Sequence, residues 1–283
     1  MHWAESLSTK QQIEPEEISQ DEPTFRLEET AGSTTMIISF AVFPAPGGKS
    51  AFDFVRATNP LQVQKLFLRD PNMMWYQKGT PGVGNDVPAV VEYVRGVIVR
   101  GGVTRVVMIG NSGGGFSAIL FGALVGADEI HAFNPPTKLL EESDTSCPEQ
   151  LNQLAAERGL TSPYLDLRRV LREHLQPKTK IYIHYSRGDG RDKRHARYLA
   201  EFPNVQLIQY PFVSHHVARF FAERAMLSPL LQAAVDGNTE AVRTTTRTMI
   251  RTAAPTYIPS FIGLYASKAW SRLNRIVRGQ GEK

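Results

Sequence analysis

The chain has 283 residues, of which 42% are hydrophobic and 21% charged, with a formal charge of +4. That length can bury one large α/β core with tails or a small insertion to spare, and so small a net charge gives no argument for nucleic-acid binding. Its single cysteine, Cys147, excludes an intramolecular disulfide and suits a reducing compartment. Cys147 follows a polar stretch with no base partner near it in sequence and reads as incidental. The chain start lacks the basic, apolar, small-residue order of a secretion signal, and no apolar run reaches membrane-span length. The expectation is a soluble, cytoplasmic protein.

Charge is unevenly distributed. Residues 1–33 are acidic, with Glu5, Glu14, Glu16, Glu17, Asp21, Glu22, Glu28 and Glu29, and read as a flexible or loosely docked arm. Residues 233–283 are basic, with Arg243, Arg247, Arg251, Lys268, Arg272, Arg275 and Arg278. Within them the stretch Tyr257 to Tyr265 is mildly amphipathic. Packing on its own domain is the main reading of this extension, and contact with a membrane surface or a partner the minor one.

Between these tails, residues 34–232 alternate strand and helix patterns, as one mainly parallel sheet flanked by helices requires. Thr35 to Phe43 is a near-continuous apolar run of strand length, broken by Pro44-Ala45-Pro46-Gly47-Gly48. Lys65 to Asp70 is a second strand. It runs into an aromatic, Gly-rich connection containing Trp75 and Tyr76, either a pocket wall or a packed aromatic cluster. Val87 to Val99 has apolar residues at helical spacing and ends at Gly101-Gly102. Further strands are predicted at Val106 to Ile109, Ala127 to Asn134, Lys180 to Tyr185 and Val205 to Tyr210. A short helix is predicted from Arg194 to Glu201, and helix from Val217 onward. Residues 137–178 read as helical and polar, a candidate small lid.

The motif at the end of the third predicted strand carries the chemistry. Val106-Val107-Met108-Ile109 is followed by Gly110-Asn111-Ser112-Gly113-Gly114-Gly115 and then by small and apolar helix formers. Gly-x-Ser-x-Gly between a strand and a helix is the setting of a nucleophile elbow, a strained turn that lifts a serine hydroxyl above the sheet edge. A dinucleotide fingerprint fits poorly, because Ser112 stands where its second glycine belongs and the next strand ends without an acidic residue. A phosphate-binding P-loop fits poorly too, since no lysine follows these glycines.

A serine needs a base to take its proton, and the base needs an acid to hold its tautomer. After Ser112 the chain offers acids in the loop at 186–192 and then histidines in the loop at 214–216, each after a predicted strand. Asp189 lies at the usual distance after its strand; Asp192 opens the next helix, where a capping role is the plainer reading. His215 and His216 are adjacent, so only one turns inward. His131 and His184 read as core or wall residues, and His195 as facing solvent. No acidic residue has a convincing metal-ligand spacing beside the paired histidines, so no metal is expected. Gly113 is positioned to give one oxyanion N–H, and the second is expected from Ala45, Gly47 or Gly48, because Pro44 and Pro46 have none.

With these parts assembled, residues 34–232 resemble the α/β-hydrolase superfamily. Several stretches are also similar to bacterial esterase-like proteins linked to surface-glycan systems: Leu66 to Asp70 with Trp75-Tyr76, Gly110 to Gly115, Phe121-Gly122-Ala123, Ala132 to Pro135, Asp192 to Ala196 and Ser214 to Val217. The resemblance implies Ser112 as nucleophile, His215 as base, and Asp192 rather than Asp189 as the acid. Three glycines after the serine and Asn111 before it depart from commoner elbows. The resulting expectation is a serine hydrolase that cleaves an ester or thioester of a small-molecule or glycan-linked acyl substrate, without a cofactor and without nucleic acid. Acyl transfer by the same residues, and a non-catalytic accessory or binding role, are the alternatives.

Overall fold

The apolar runs become strands covered on both faces. Over residues 23–41, 52–139 and 162–253, which the computed structural model describes, the strands are β1 (Phe25–Glu28), β2 (Thr35–Ala41), β3 (Gln64–Arg69), β4 (Arg105–Asn111), β5 (Glu129–Phe133), β6 (Lys180–Ser186) and β7 (Val205–Tyr210). The helices are α1 (Val55–Thr58), α2 (Val87–Arg100), α3 (Gly113–Val125), α4 (Leu167–His174), α5 (Gly190–Tyr198), α6 (Val217–Ala222) and α7 (Leu227–Val235). Residues 239–253 are helical as well. Seven strands form one sheet in the order β1-β3-β2-β4-β5-β6-β7. Every neighbouring pair is parallel except β1 with β3.

From β2 the chain moves outward to β3, then returns to place β4 on the other side of β2. The connection leaving β2 runs to β3 on one side and that leaving β4 runs to β5 on the other, so a crevice opens at the C-terminal ends of β2 and β4. In open parallel sheets that switch point is where ligands bind. Ser112 follows the last residue of β4 and therefore stands at it.

Alternation along each strand divides the core in two. Met36, Ile38, Phe40, Val106, Met108, Ile130, Ala132, Ile181 and Ile183 point to one face, under α2, α3, α4 and α5. Ile37, Val107, Ile109, Phe133, Tyr182 and Tyr210 point to the other, under α1, α6, α7 and the helix over 239–253. The centre of α3 has no polar stripe, and Phe116, Ile119, Leu120 and Phe121 are all fully buried. Each such side chain contributes roughly 1.5–3 kcal/mol by leaving water. The helix lies so close to the sheet that a Cβ on Gly114 would come within 2.1 Å of the Phe40 carbonyl oxygen, and one on Gly110 within 2.0 Å of the Gly114 carbonyl oxygen.

Several expectations change. From sequence alone residues 1–33 read as an acidic arm, yet Phe25–Glu28 add an antiparallel edge to β3. Three of its residues are half-buried and Leu27 is exposed, and its apolar–polar alternation, Phe25-Arg26-Leu27-Glu28, is only four residues long. The helix expected over 194–201 begins at Gly190 instead, because Asp189 caps it by accepting from the Arg191 and Asp192 N–H groups. The described part of the candidate lid, residues 162–178, contributes the crossover helix α4, whose Leu167, Val170 and Leu171 are buried in the same core layer as α3. Residues 140–161 of that lid lie outside the described residues, as do Cys147, Tyr257 to Tyr265 and the acidic positions 5 to 22. His195, expected at the surface, is buried, and the Thr137 N–H donates to its Nδ1 at 3.2 Å. The Trp75-Tyr76 connection is a packed aromatic cluster: both are buried, and the Tyr76 hydroxyl donates to the Ala41 and Leu68 carbonyls.

A chain of buried polar side chains crosses the second face from β4 to β7. The Tyr210 hydroxyl meets His184 Nδ1 at 2.9 Å, His184 Nε2 meets His131 Nδ1 at 3.0 Å, and His131 Nε2 meets Glu129 at 3.0 Å. Arg105 closes the far end on Glu129 at 2.7 Å. An ionised carboxylate only accepts, so His131 donates from Nε2, His184 donates from Nε2, and Tyr210 donates to His184 Nδ1. This one set of tautomers satisfies every link while both imidazoles stay neutral.

Two predictions follow from these contacts. Gly114→Ala should destabilise the protein by about 3 kcal/mol, because the obstruction is backbone that has nowhere to move. Gly190→Ala, with nothing within 4 Å of the added methyl, should be neutral or slightly stabilising; urea unfolding of the two variants checks the contrast. Burial, and secondarily the neighbouring His131, holds the His184 pKa well below its ordinary value. The unfolded chain binds that proton near pH 6.5 and the folded chain resists it. Stability is therefore complete above about pH 6.5 and falls below it, by at most ~1.4 kcal/mol per pH unit. The urea midpoint should drop between pH 7.5 and 5, and drop less steeply in His184→Gln.

Candidate active site

Ser112 sits between β4 and α3 with φ 51° and ψ −120°. A non-glycine residue at such angles costs of order 1–3 kcal/mol and persists only where its surroundings over-determine it. Here the surroundings do. The Ser112 N–H donates to the Phe133 carbonyl of β5 at 2.8 Å, and the Phe116 N–H donates to the Ser112 carbonyl at 3.1 Å to open α3. The close packing at Gly110 and Gly114 fixes the turn from both sides. Ser112 is half-buried. The N–H groups in the first turn of α3 have no partner within the helix, and the helix dipole adds partial positive charge there. Gly113 is the first residue of that turn. Ala45, Gly47 and Gly48, the other oxyanion candidates, lie outside the described residues.

The acid and base loops follow β6 and β7, which lie beside each other in the sheet. His215 Nδ1 is 2.6 Å from Asp192 Oδ1. A carboxylate only accepts, so Nδ1 carries the hydrogen and Nε2 is left as the acceptor. The Asp192 side chain is 2% exposed and that of His215 26% exposed, an arrangement with a dry acid and an accessible imidazole. Asp192 lies in the first turn of α5, where the helix dipole favours its negative charge. Of the two candidate acids, Asp192 is the one joined to His215, and Asp189 is the helix cap. His216 is exposed, with its ring edge-on to His215. Among the described residues Ser112 Oγ makes no hydrogen bond with His215. Such contacts commonly tighten only when substrate is bound.

Two residues that no sequence motif announces hold this arrangement together. The Ser186 hydroxyl donates to the Val213 carbonyl at 2.5 Å, tying the acid loop to the base loop. Asn134 Nδ2 donates to Asp192 Oδ2 at 2.5 Å, and its Oδ1 accepts from the Val217 N–H at 3.3 Å. The Ala132-Phe133-Asn134-Pro135 stretch stood out as a strand end and in the resemblance, but neither signal gave Asn134 a role, because a polar residue following a strand has no distinctive spacing.

Asp189, Asp192 and His215 bring one ligand atom each to within 4.8 Å of one another, the reach of a metal ion. Much of that donor capacity is already used in hydrogen bonds. Asp189 Oδ1 accepts two backbone N–H groups, and the Asp192 oxygens accept from His215 and Asn134. The donor set is that of a hydrogen-bonded acid–base pair with a capped helix.

Beside the elbow lies a cavity of about 760 Å³. Asn111, the residue before Ser112, contributes to its wall, with Phe52, Asp53, Phe54, Arg56 and Arg219. Asn111 Oδ1 is buried with no hydrogen-bond partner among the described residues. The Ser39 hydroxyl holds the Asp53 main chain at 2.9 Å, and burial pushes the Asp53 carboxyl up to about 6.

No protein-family model matches the chain, and no curated protein matches it in sequence. Its backbone is similar to several solved structures. One is the capsule O-acetyltransferase of Neisseria meningitidis serogroup A, with a TM-score of 0.54 and 17% identity over 72% of this chain and 92% of that one. Another is a glycosylation-associated protein complex from Streptococcus agalactiae, with a TM-score of 0.55 and 12% identity over 74% of this chain and 44% of that one. A third is FphF, a fluorophosphonate-binding serine hydrolase of Staphylococcus aureus, with a TM-score of 0.50 and 13% identity over 82% of this chain and 89% of that one. Together with the sheet order and the strained serine turn, these likenesses give the chain the α/β-hydrolase fold.

Proposed function

We propose that the protein is a serine hydrolase that cleaves a carboxylic ester or thioester through an acyl-enzyme on Ser112. The observation that carries this reading is the Asp192–His215 pair, a buried carboxylate 2.6 Å from a partly exposed imidazole, at the sheet edge that also carries a serine at φ 51°. Ser112 Oγ attacks the acyl carbon while His215 Nε2 takes its proton. The tetrahedral oxyanion is stabilised by the Gly113 N–H, with a second N–H expected from the loop containing Ala45 and Gly47. His215 returns the proton to the departing alcohol or thiol, leaving Ser112 acylated. Water, deprotonated by the same imidazole, then releases the acid and restores the serine. Asp192 keeps Nδ1–H oriented and offsets the imidazolium charge in both halves. A small-molecule or glycan-linked substrate is proposed to enter beside Asn111, whose side chain walls a cavity next to the serine turn.

A second reading keeps the acyl-enzyme and delivers the acyl group to a hydroxyl instead of water. The likeness to a capsule O-acetyltransferase favours it.

Fluorophosphonate labelling tests the shared part. Wild type should label at Ser112, and Ser112→Ala and His215→Ala should not. Asp192→Asn should slow labelling by roughly three to four orders of magnitude, because the wrong imidazole tautomer is then stabilised. Asp189→Asn should label at close to the wild-type rate, since asparagine caps a helix about as well as aspartate. A folded wild type that does not label would leave the accessory role. Product analysis of an ester substrate, with and without added sugar hydroxyls, separates hydrolysis from transfer.

A further inference from the structure

Asn134 follows β5, is 1% exposed and has φ 48°. Asparagine is one of the few residues that tolerate this left-handed backbone, and glycine tolerates it fully. Its main-chain N–H donates to the His184 carbonyl at 2.8 Å, which anchors the residue on β6. Its side chain reaches two elements that the sequence keeps far apart. Nδ2 donates to Asp192 Oδ2 in the first turn of α5, and Oδ1 accepts from the Val217 N–H that opens α6, two residues after His215. The partners fix the amide's orientation, since the carboxylate can only accept and the Val217 N–H can only donate.

We propose that Asn134 is a positioning residue for the Asp192–His215 pair. By occupying Asp192 Oδ2 it leaves Oδ1 for the imidazole and stops the carboxylate turning about its own axis. By holding Val217 it sets the distance between that carboxylate and the segment carrying His215. Both bonds are buried, so neither exchanges for water at low cost. The inference rests on the catalytic reading above only for its consequence; the geometry it explains is that of the acid–base pair itself.

The test reads the pair and the serine separately, in wild type, Asn134→Gly and Asn134→Asp. Asn134→Gly suits the left-handed backbone and removes both side-chain bonds. Asn134→Asp keeps the size and the acceptor for Val217, and carries the test if the glycine variant does not fold. The first readout is the far-downfield proton resonance of His215 Nδ1–H, identified by its loss in His215→Ala. The second is the pH profile of fluorophosphonate labelling. In Asn134→Gly the resonance should shift or broaden, and the maximal labelling rate should fall about 10- to 100-fold, as expected for a misplaced catalytic group. In Asn134→Asp a second carboxylate faces Asp192, so the imidazolium persists to higher pH, and the rising limb of the profile should move upward by about one unit. Folded variants that keep the wild-type resonance, rate and limb overturn the proposal. A wild type that fails to label, in variants whose resonance still moves, overturns the serine chemistry and leaves the positioning role standing.

Discussion

The rest of the site depends on how closely the N-terminus of α3 approaches the sheet. At Gly114 the helix backbone lies against the Phe40 carbonyl of β2, and at Gly110 the strand lies against the Gly114 carbonyl. No side chain fits at either contact. The approach forces the chain to turn within one residue, and Ser112 takes the strain at φ 51°. The turn, in return, points the start of α3 at the crevice between β2 and β4. The buried apolar face of α3, with Phe116, Ile119, Leu120 and Phe121, supplies the packing energy that holds a strained residue in place. The run Gly113-Gly114-Gly115, unusual beside commoner elbows, is thereby explained in part. Gly114 is required by β2, and a Cβ on Gly115 would lie 3.2 Å from Pro135 Cβ.

A second constraint acts across the other face. Four strands share the chain of Arg105, Glu129, His131, His184 and Tyr210. Its hydrogen bonds converge on the Glu129 carboxylate, from Tyr210 through the two imidazoles on one side and from Arg105 on the other, so a buried polar layer is tolerated within an otherwise apolar face. Tyr210 is the last residue of β7, and its carbonyl accepts at 3.0 Å from the N–H of Arg187, the first residue after β6. The layer therefore fixes the two strand ends from which Asp192 and His215 are presented. Ser186 and Asn134 then join the loops above it. Asp192 and His215 are thus presented from paired strand ends, with a neighbouring loop bonded to the segment that carries each.

Much of this was legible in residue order. The apolar run at 106–109 with Gly110-Asn111-Ser112-Gly113 located the elbow, because a strand of period two, a glycine and a small-residue helix are all local properties. The order serine, acid, histidine was legible for the same reason, since each candidate follows a strand. What local pattern could not give was the division of labour between Asp189 and Asp192. Their spacing fits either role, and the outcome turns on where α5 begins, which Asp189 settles by capping it. The short edge strand Phe25–Glu28 escaped notice because its pairing partner, β3, lies some forty residues further on. His195 escaped because its burial depends on Thr137, fifty-eight residues away in the chain.

The sequence by itself determined the class of fold and the three kinds of residue that meet at one sheet edge, because hydrophobic period, turn chemistry and chain order are carried by near neighbours. Only the tertiary structure decided which carboxylate faces the imidazole, which histidine turns inward, and which side chains hold them there. Asn134 shows the reason. Its two bonds, to Asp192 and to Val217, span fifty-eight and eighty-three residues. Contacts of that kind exist only once the strands have been set side by side, and no periodicity in the chain encodes them.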